Sequence, residues 1–235
     1  MNTENNENKK NSAVPADEKA AEKENGKKKK SMGRELFEWF YTVIIAIAVA
    51  FLIKTYLFDI VRVDGSSMFP TLTNNDRLVV TKLNYTPEAN DIIILDSTYV
   101  KRNDYYTQQE LATGKQLSSF DKITGYLTLP KSLKKRYYVK RIVALPGQTV
   151  DLKDGKVYVD GKVLDGELDH GYTQSIDMSV EYPVTVKDGN VFVLGDNREH
   201  SKDSRSSDLG QIPYSAIIGK AQYRVWPLNA IGKTE

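Results

Sequence analysis

The chain has 235 residues, 40% of them hydrophobic, and a formal net charge of +2, which suits one sizeable packed domain with appendages. It contains no Cys, so disulfide frameworks, thiolate metal sites and a cysteine nucleophile are excluded. Its two His, His170 and His200, stand in no zinc-ligand spacing and no Gly-rich phosphate loop is present, so neither a metal nor another cofactor is expected.

Residues 1–34 hold nine Lys/Arg against six Asp/Glu, with no aromatic and almost no aliphatic residue. Such a stretch cannot bury enough apolar surface to fold and is expected to be a disordered tail. Residues 35–58 add one Lys and two Glu, which leaves residues 59–235 neutral. A neutral domain lacks the basic footprint of nucleic-acid binding, and no nucleic acid is expected as a partner.

Trp39 to Ile53 is uncharged and apolar, and beyond Lys54 the pattern continues through Tyr56, Leu57 and Phe58. A helix over residues 39–58 spans about 30 Å, the thickness of a bilayer core. A buried soluble helix would show a polar face, and a cleavable signal would end in a small-x-small site. The span shows no polar face before Lys54, and Lys54-Thr55-Tyr56-Leu57-Phe58 offers no such site. Residues 35–58 are therefore expected to be a retained transmembrane anchor in contact with lipid, with Trp39 and Tyr56 at its interfaces and Lys54 snorkelling. Lys27–Lys30 and Arg34 precede it, which predicts a cytoplasmic N-terminus and an extracytoplasmic domain over residues 59–235.

That domain reads as mainly β. Residues 78–83, 91–95, 137–145, 156–159 and 190–194 are short runs rich in Val, Ile and Tyr between turn residues. Asp160-Gly161, between Val157-Tyr158-Val159 and Lys162-Val163-Leu164, is a two-residue hairpin signal. Residues 96–136 are polar and read as a long surface excursion with helix around Gln108–Ala112.

Three segments carry chemistry in combination. Gly65-Ser66-Ser67-Met68-Phe69-Pro70-Thr71-Leu72 follows the anchor, Lys140-Arg141 opens a run ending in Leu145-Pro146-Gly147, and Gly195-Asp196-Asn197-Arg198 leads to Ser201, Asp203, Ser204 and Arg205. Singly they read as a turn, a strand and a polar loop. In this order behind an anchor they resemble the signature boxes of bacterial type I signal peptidases of the Gram-positive type, and Asn90–Leu95 resembles a further, strand-forming box. The likeness covers most of residues 35–225.

The resemblance implies an antiparallel β-sheet catalytic domain behind one transmembrane helix, acting on the signal peptides of secreted preproteins. It implies Ser67 as nucleophile, Lys140 as general base and Ser201 as the hydroxyl that orients the lysine. It further pairs Asp196 with Arg141 and Asp203 with Arg205 in supporting roles. The physics agrees, because a lysine serves as a base near neutral pH only when burial destabilises its ammonium form. Alternation along a strand would put Tyr138, Lys140 and Ile142 on one face. The Ser67 backbone N–H is the natural oxyanion donor. The position two before the nucleophile, which carries a second donor in some members, is Gly65 here, and Ser66 is the other candidate. By the same resemblance the substrate adds as a β-strand along residues 62–65 and 91–95, with Gly65, Asp91, Ile92, Ile93 and Ile94 at its contacts. Met68, Phe69 and Trp226 are either core or apolar groups at the bilayer interface.

Two other readings stay open on sequence. One is a membrane-anchored β domain that binds extended peptides without cleaving them. The other is a self-cleaving repressor-like protein with the same Ser/Lys pairing, against which the anchor and the lack of a DNA-binding module count. A Ser67, His200 and Asp203 triad is a further way to draw the chemistry.

Overall fold

The computed structural model describes residues 32–83, 85–164 and 170–234. The tail expected over residues 1–34 lies, up to Ser31, outside the described residues. The chain divides into two units, Met1–Ala48 and Val49–Glu235. Helix α1, Met32–Leu52, begins in the first, and its apolar side chains, Trp39, Phe40 and Ile47 among them, are exposed all round. A helix apolar on every side and unburied by protein suits lipid better than a core. Ile53–Leu57 is a π turn, and Phe58, read above as the last anchor residue, is already extended. Among the described residues, the segment long and apolar enough to span a membrane is Glu35–Leu57.

The second unit is mainly antiparallel β. Its strands are β1 Phe58–Arg62, β2 Arg77–Thr81, β3 Ile92–Asp96, β4 Tyr137–Ala144, β5 Thr149–Lys153, β6 Lys156–Val159, β7 Lys162–Val163, β8 Val184–Thr185, β9 Asn190–Leu194, β10 Ile212–Pro213, β11 Ile217–Trp226 and β12 Gly232–Lys233. The large sheet runs β1-β2-β11-β3-β4-β9-β10 with β12 beside β11, and a four-stranded sheet runs β7-β6-β5-β8. All five apolar runs read from the sequence fall on strands. The Asp160-Gly161 hairpin joins β6 to β7, with φ of 51° and 75° at its two residues, as a primed turn requires.

Alternation explains the core. Ile92 and Ile94 of β3 pack with Val63, Met68, Leu72, Leu78 and Val80, whereas Ile93 and Leu95 pack on the other face with Ile142, Val191 and Val193. A strand buried on both faces needs the unbroken apolar run found there. A third cluster, with Val143, Phe192 and Leu194 against Val150 and Val157, joins the two sheets. Each such fully buried side chain contributes about 1.5–3 kcal/mol.

Between β3 and β4 the excursion contains two helices rather than one, α2 Tyr99–Thr113 and α3 Ser119–Gly125. Arg102 of α2 ties it to the sheet through a buried pair with Asp96. A capping box of Ser118 and Asp121 starts α3.

Candidate active site

The segment after β1 is held at both ends, which fixes the half-buried serine between them. Val63 N–H donates to the Asp76 carbonyl, and Gly65 turns the chain at φ +106°, a conformation that suits only glycine, while its N–H donates to Asn74 Oδ1. Met68 and Leu72 then sink into the first core cluster, each 1% exposed. Ser67 therefore sits on a short turn between two buried anchors. Of the two other apolar residues singled out above, Phe69 and Trp226 are exposed.

Lys140 comes from β4, opposite Ile93 of β3, and is 2% exposed. Its Nζ lies 2.7 Å from Ser67 Oγ, 3.0 Å from the Val139 carbonyl oxygen and 5.3 Å from the centre of the Tyr138 ring. Burial pulls the Lys140 ammonium down to about 8, against the partly opposing charges of Asp203 and Asp196. A neutral amine at this distance accepts the hydroxyl proton, so the pair has the geometry of a nucleophile and its base.

The loop after β9 closes over the serine. Asn197 N–H donates to the Ser67 carbonyl at 3.0 Å, and its side-chain amide donates to the Ser66 carbonyl at 3.1 Å. Gly195 permits this approach: a Cβ there would lie 2.1 Å from Ser201 Oγ and 2.5 Å from the Ser67 carbonyl oxygen. Arg141 forks onto Asp196 at 2.9 and 2.8 Å, and its remaining nitrogen reaches Asn90. Arg205 forks onto Asp203, whose Oδ2 also accepts from Gly195 N–H. Both pairs are buried, and with two fork bonds each they lock the loop. Ser201 differs from the sequence reading. Its buried Oγ has no hydrogen-bond partner, so the bond to Lys140 expected of it is not formed here. His200 Nδ1 faces Asn197 Oδ1 at 3.3 Å, and no bond joins it to Ser67 or Asp203.

A groove of about 340 Å³ runs past the serine between residues 61–68 and 137–140, with His200 and Lys202 at its margin. Its position corrects the expected substrate contacts. Asp91, Ile92, Ile93 and Ile94 are buried, and β3 is bonded to β11 on one side and β4 on the other, so it has no edge to offer a third strand. The Asp91 carboxylate is taken by Tyr85, Lys220 and the Glu88 N–H. The edge available is Tyr137–Lys140 of β4, because β9 pairs only from Arg141 onward. Gly65 does line the groove. Sequence could not supply the strand order that frees β4. Asn197 was visible in its motif, but nothing there gave it the role of clamp.

The family described as signal peptidase, peptidase S26, matches residues 36–226. Signal peptidase I of Bacillus licheniformis is 34% identical over 209 residues, covering 85% of this chain and 94% of that one. Signal peptidase I T of Bacillus subtilis strain 168 is 32% identical over 228 residues, covering 93% of this chain and 99% of that one. A solved structure of a signal peptidase I from Enterococcus faecalis aligns with TM-score 0.38 and 24% identity over 59% of this chain and 98% of that one.

Proposed function

Because the chain belongs to the signal peptidase family, peptidase S26, a family of serine endopeptidases that remove signal peptides, we propose that Ser67 is its nucleophile and Lys140 its general base. The observation that carries this is the 2.7 Å approach of Lys140 Nζ to Ser67 Oγ, with the amine buried and its ammonium form disfavoured.

Ser67 Oγ attacks the scissile carbonyl carbon as Lys140 Nζ takes the hydroxyl proton. The tetrahedral intermediate collapses by breaking the C–N bond, and Lys140 returns the proton to the departing amine. The mature chain leaves. Water then attacks the Ser67 ester, giving its proton to Lys140, and the C–O bond breaks as Ser67 Oγ regains a proton. The Ser67 backbone N–H is the donor assigned to the oxyanion.

The substrate is the signal peptide of an exported preprotein, laid as an added strand between residues 62–65 and the outer edge of β4 at Tyr137–Lys140. Val63, Met68 and Val139 make the floor of that groove apolar, which suits small residues before the cleavage site. Asp196 with Arg141 and Asp203 with Arg205 hold the loop over the serine and take no part in proton transfer.

The enzyme is membrane-anchored, with one apolar helix of spanning length among the described residues, near its N-terminus. We infer that its tail, basic at Lys27–Lys30, stays in the cytoplasm while residues 59–235 work outside, beside lipid and without nucleic acid. Cleavage of a preprotein after a small-x-small site by the full chain, and its loss in Ser67→Ala, tests the assignment. Cleavage that survives in Ser67→Ala rejects it.

A further inference from the structure

Strand registers fix which end of the large sheet receives the chain from the apolar segment. Phe58 stands opposite Thr81, Thr81 opposite Lys220, Lys220 opposite Ile93, and Ile93 opposite Lys140. Beyond this row, on the side where residues 53–57 enter, β3 runs out at Asp96 and β4 begins at Tyr137. The excursion over residues 97–136 thus leaves and rejoins the sheet at its membrane-entry end. Its root on β3 is three strand spacings, about 14 Å, from β1.

Its chemistry matches that place. Residues 97–136 hold eight Lys/Arg against three Asp/Glu, whereas the rest of residues 59–235 holds fifteen against twenty. Among the described residues, Lys131, Lys134, Lys135 and Arg136 have no carboxylate partner; the cations of the excursion that do are Lys101, Arg102 and Lys122. Phe120, Ile123 and Leu127 recur at helical spacing along and just past α3, and each is at least 69% exposed. Ile123 shares one hollow of about 390 Å³ with Lys122 and Lys135, so apolar and basic groups open to the same side.

We propose that this helical excursion is a second membrane contact, which sets Phe120, Ile123 and Leu127 into the bilayer interface and its lysines against anionic lipid headgroups. The occupant is lipid because the excursion springs from the membrane-entry end of the sheet and carries a positive excess, which an anionic surface complements. The contact would hold the groove at a fixed height over the bilayer, where a membrane-borne substrate emerges. The proposal rests on the anchor reading, so its test reports on the anchor separately.

The chain has no native Cys, so single labels are specific. Full-length protein carrying an environment-sensitive dye at Ile123→Cys is reconstituted into phosphatidylcholine vesicles with and without phosphatidylglycerol, the lipids bearing a bromine quencher. A second preparation labelled at Ile47→Cys reports the anchor. The expected result is lipid quenching at Ile123→Cys that rises with phosphatidylglycerol and falls by about half or more when Lys131, Lys134 and Lys135 are changed to Glu. In that triple variant kcat/KM on a short soluble peptide is unchanged, whereas KM for a membrane-borne preprotein rises. Quenching at Ile47→Cys with none at Ile123→Cys overturns the second contact and leaves the anchor standing. Equal quenching at Ile123→Cys with and without phosphatidylglycerol overturns the role of charge. Shielding of Ile123→Cys that follows protein density instead of lipid assigns the face to a second copy and likewise overturns the proposal.

Discussion

Gly195 and Ser201 meet so closely that a methyl group on Gly195 would fall 2.1 Å from the Ser201 hydroxyl and 2.5 Å from its Cβ. The Ser67 carbonyl oxygen lies 2.5 Å from the same point. Gly195→Ala must therefore push the loop off the Ser67 segment. A displacement of about 1 Å at a reacting group costs on the order of 10²-fold, so kcat should fall by at least that much while the β fold persists. Adding Ser201→Gly removes only one of the two clashes, and the Ser67 carbonyl remains. Recovery of wild-type kcat in the double variant would show that the glycine is not needed beside the serine.

Ser201→Ala should separate stability from activity. A buried hydroxyl without a partner costs roughly 1–3 kcal/mol, so its removal should raise Tm. If the hydroxyl meets the Lys140 amine during turnover, kcat should drop by about 10–100-fold, less than for loss of the base itself. A Tm that falls with an unchanged kcat would make Ser201 a packing residue only.

Removing one side of the buried Arg141 and Asp196 pair strands the other in a site that excludes water. Arg141→Ala should lower unfolding stability by about 3–5 kcal/mol, read from denaturant midpoints at constant m. The neutral pair Arg141→Met with Asp196→Leu should recover part of that loss. No recovery in the double variant would mean that the Asn90 contacts of Arg141, and not the ion pair, carry the effect.

The sheet was legible wherever local chemistry determines it. The run from Ile92 to Leu95 was readable as a strand, and Asp160-Gly161 as a two-residue hairpin turn. What failed was whatever depends on strands distant in sequence. Nothing local says that β11 lies between β2 and β3, so Asp91–Ile94 looked like an edge when the stretch left unpaired beside the groove is Tyr137–Lys140. β1 was hidden because Phe58 continues the apolar run of the span, and β11 because Gly219, Lys220 and Gln222 interrupt it. Helix α2 buries only Arg102 and Tyr106, too few for an apolar period to show. Ser67 and Lys140 were legible through their motifs, whereas their 2.7 Å separation belongs to the fold.

His200 stands beside Ser201 and lines the groove, so its substitution is the control for the base. Asp203, the third member a triad would need, is committed to Arg205 and the Gly195 N–H. His200→Ala should keep kcat/KM within roughly tenfold, since loss of a catalytic base costs about 10²–10⁴-fold or more. An inactive His200→Ala beside an active Lys140→Met would reverse the assignment.

Lys140 ties the rate and the stability to the same proton. As the proposed base it would work as the neutral amine, and its ammonium is held down to about 8 by burial. The kcat/KM profile should therefore rise about tenfold per pH unit below that value and level off above it. For stability the sign follows from proton counts. Below about 8 both folded and unfolded chains keep the proton, and folding carries the full cost of burying the charge. Between there and the ordinary lysine value of 10.5 the unfolded chain binds more protons, so stability rises with pH across that window. Lys140→Met keeps the apolar stem and deletes the charge. It should abolish turnover and raise stability near pH 7 by about 1–3 kcal/mol, a gain that shrinks as pH approaches 10.5. Paired melts of the two proteins across the alkaline range read the difference directly. A Lys140→Met protein less stable than the parent at pH 7 would show that the amine enters the folded state without penalty, and the physical basis for a lysine base would be lost.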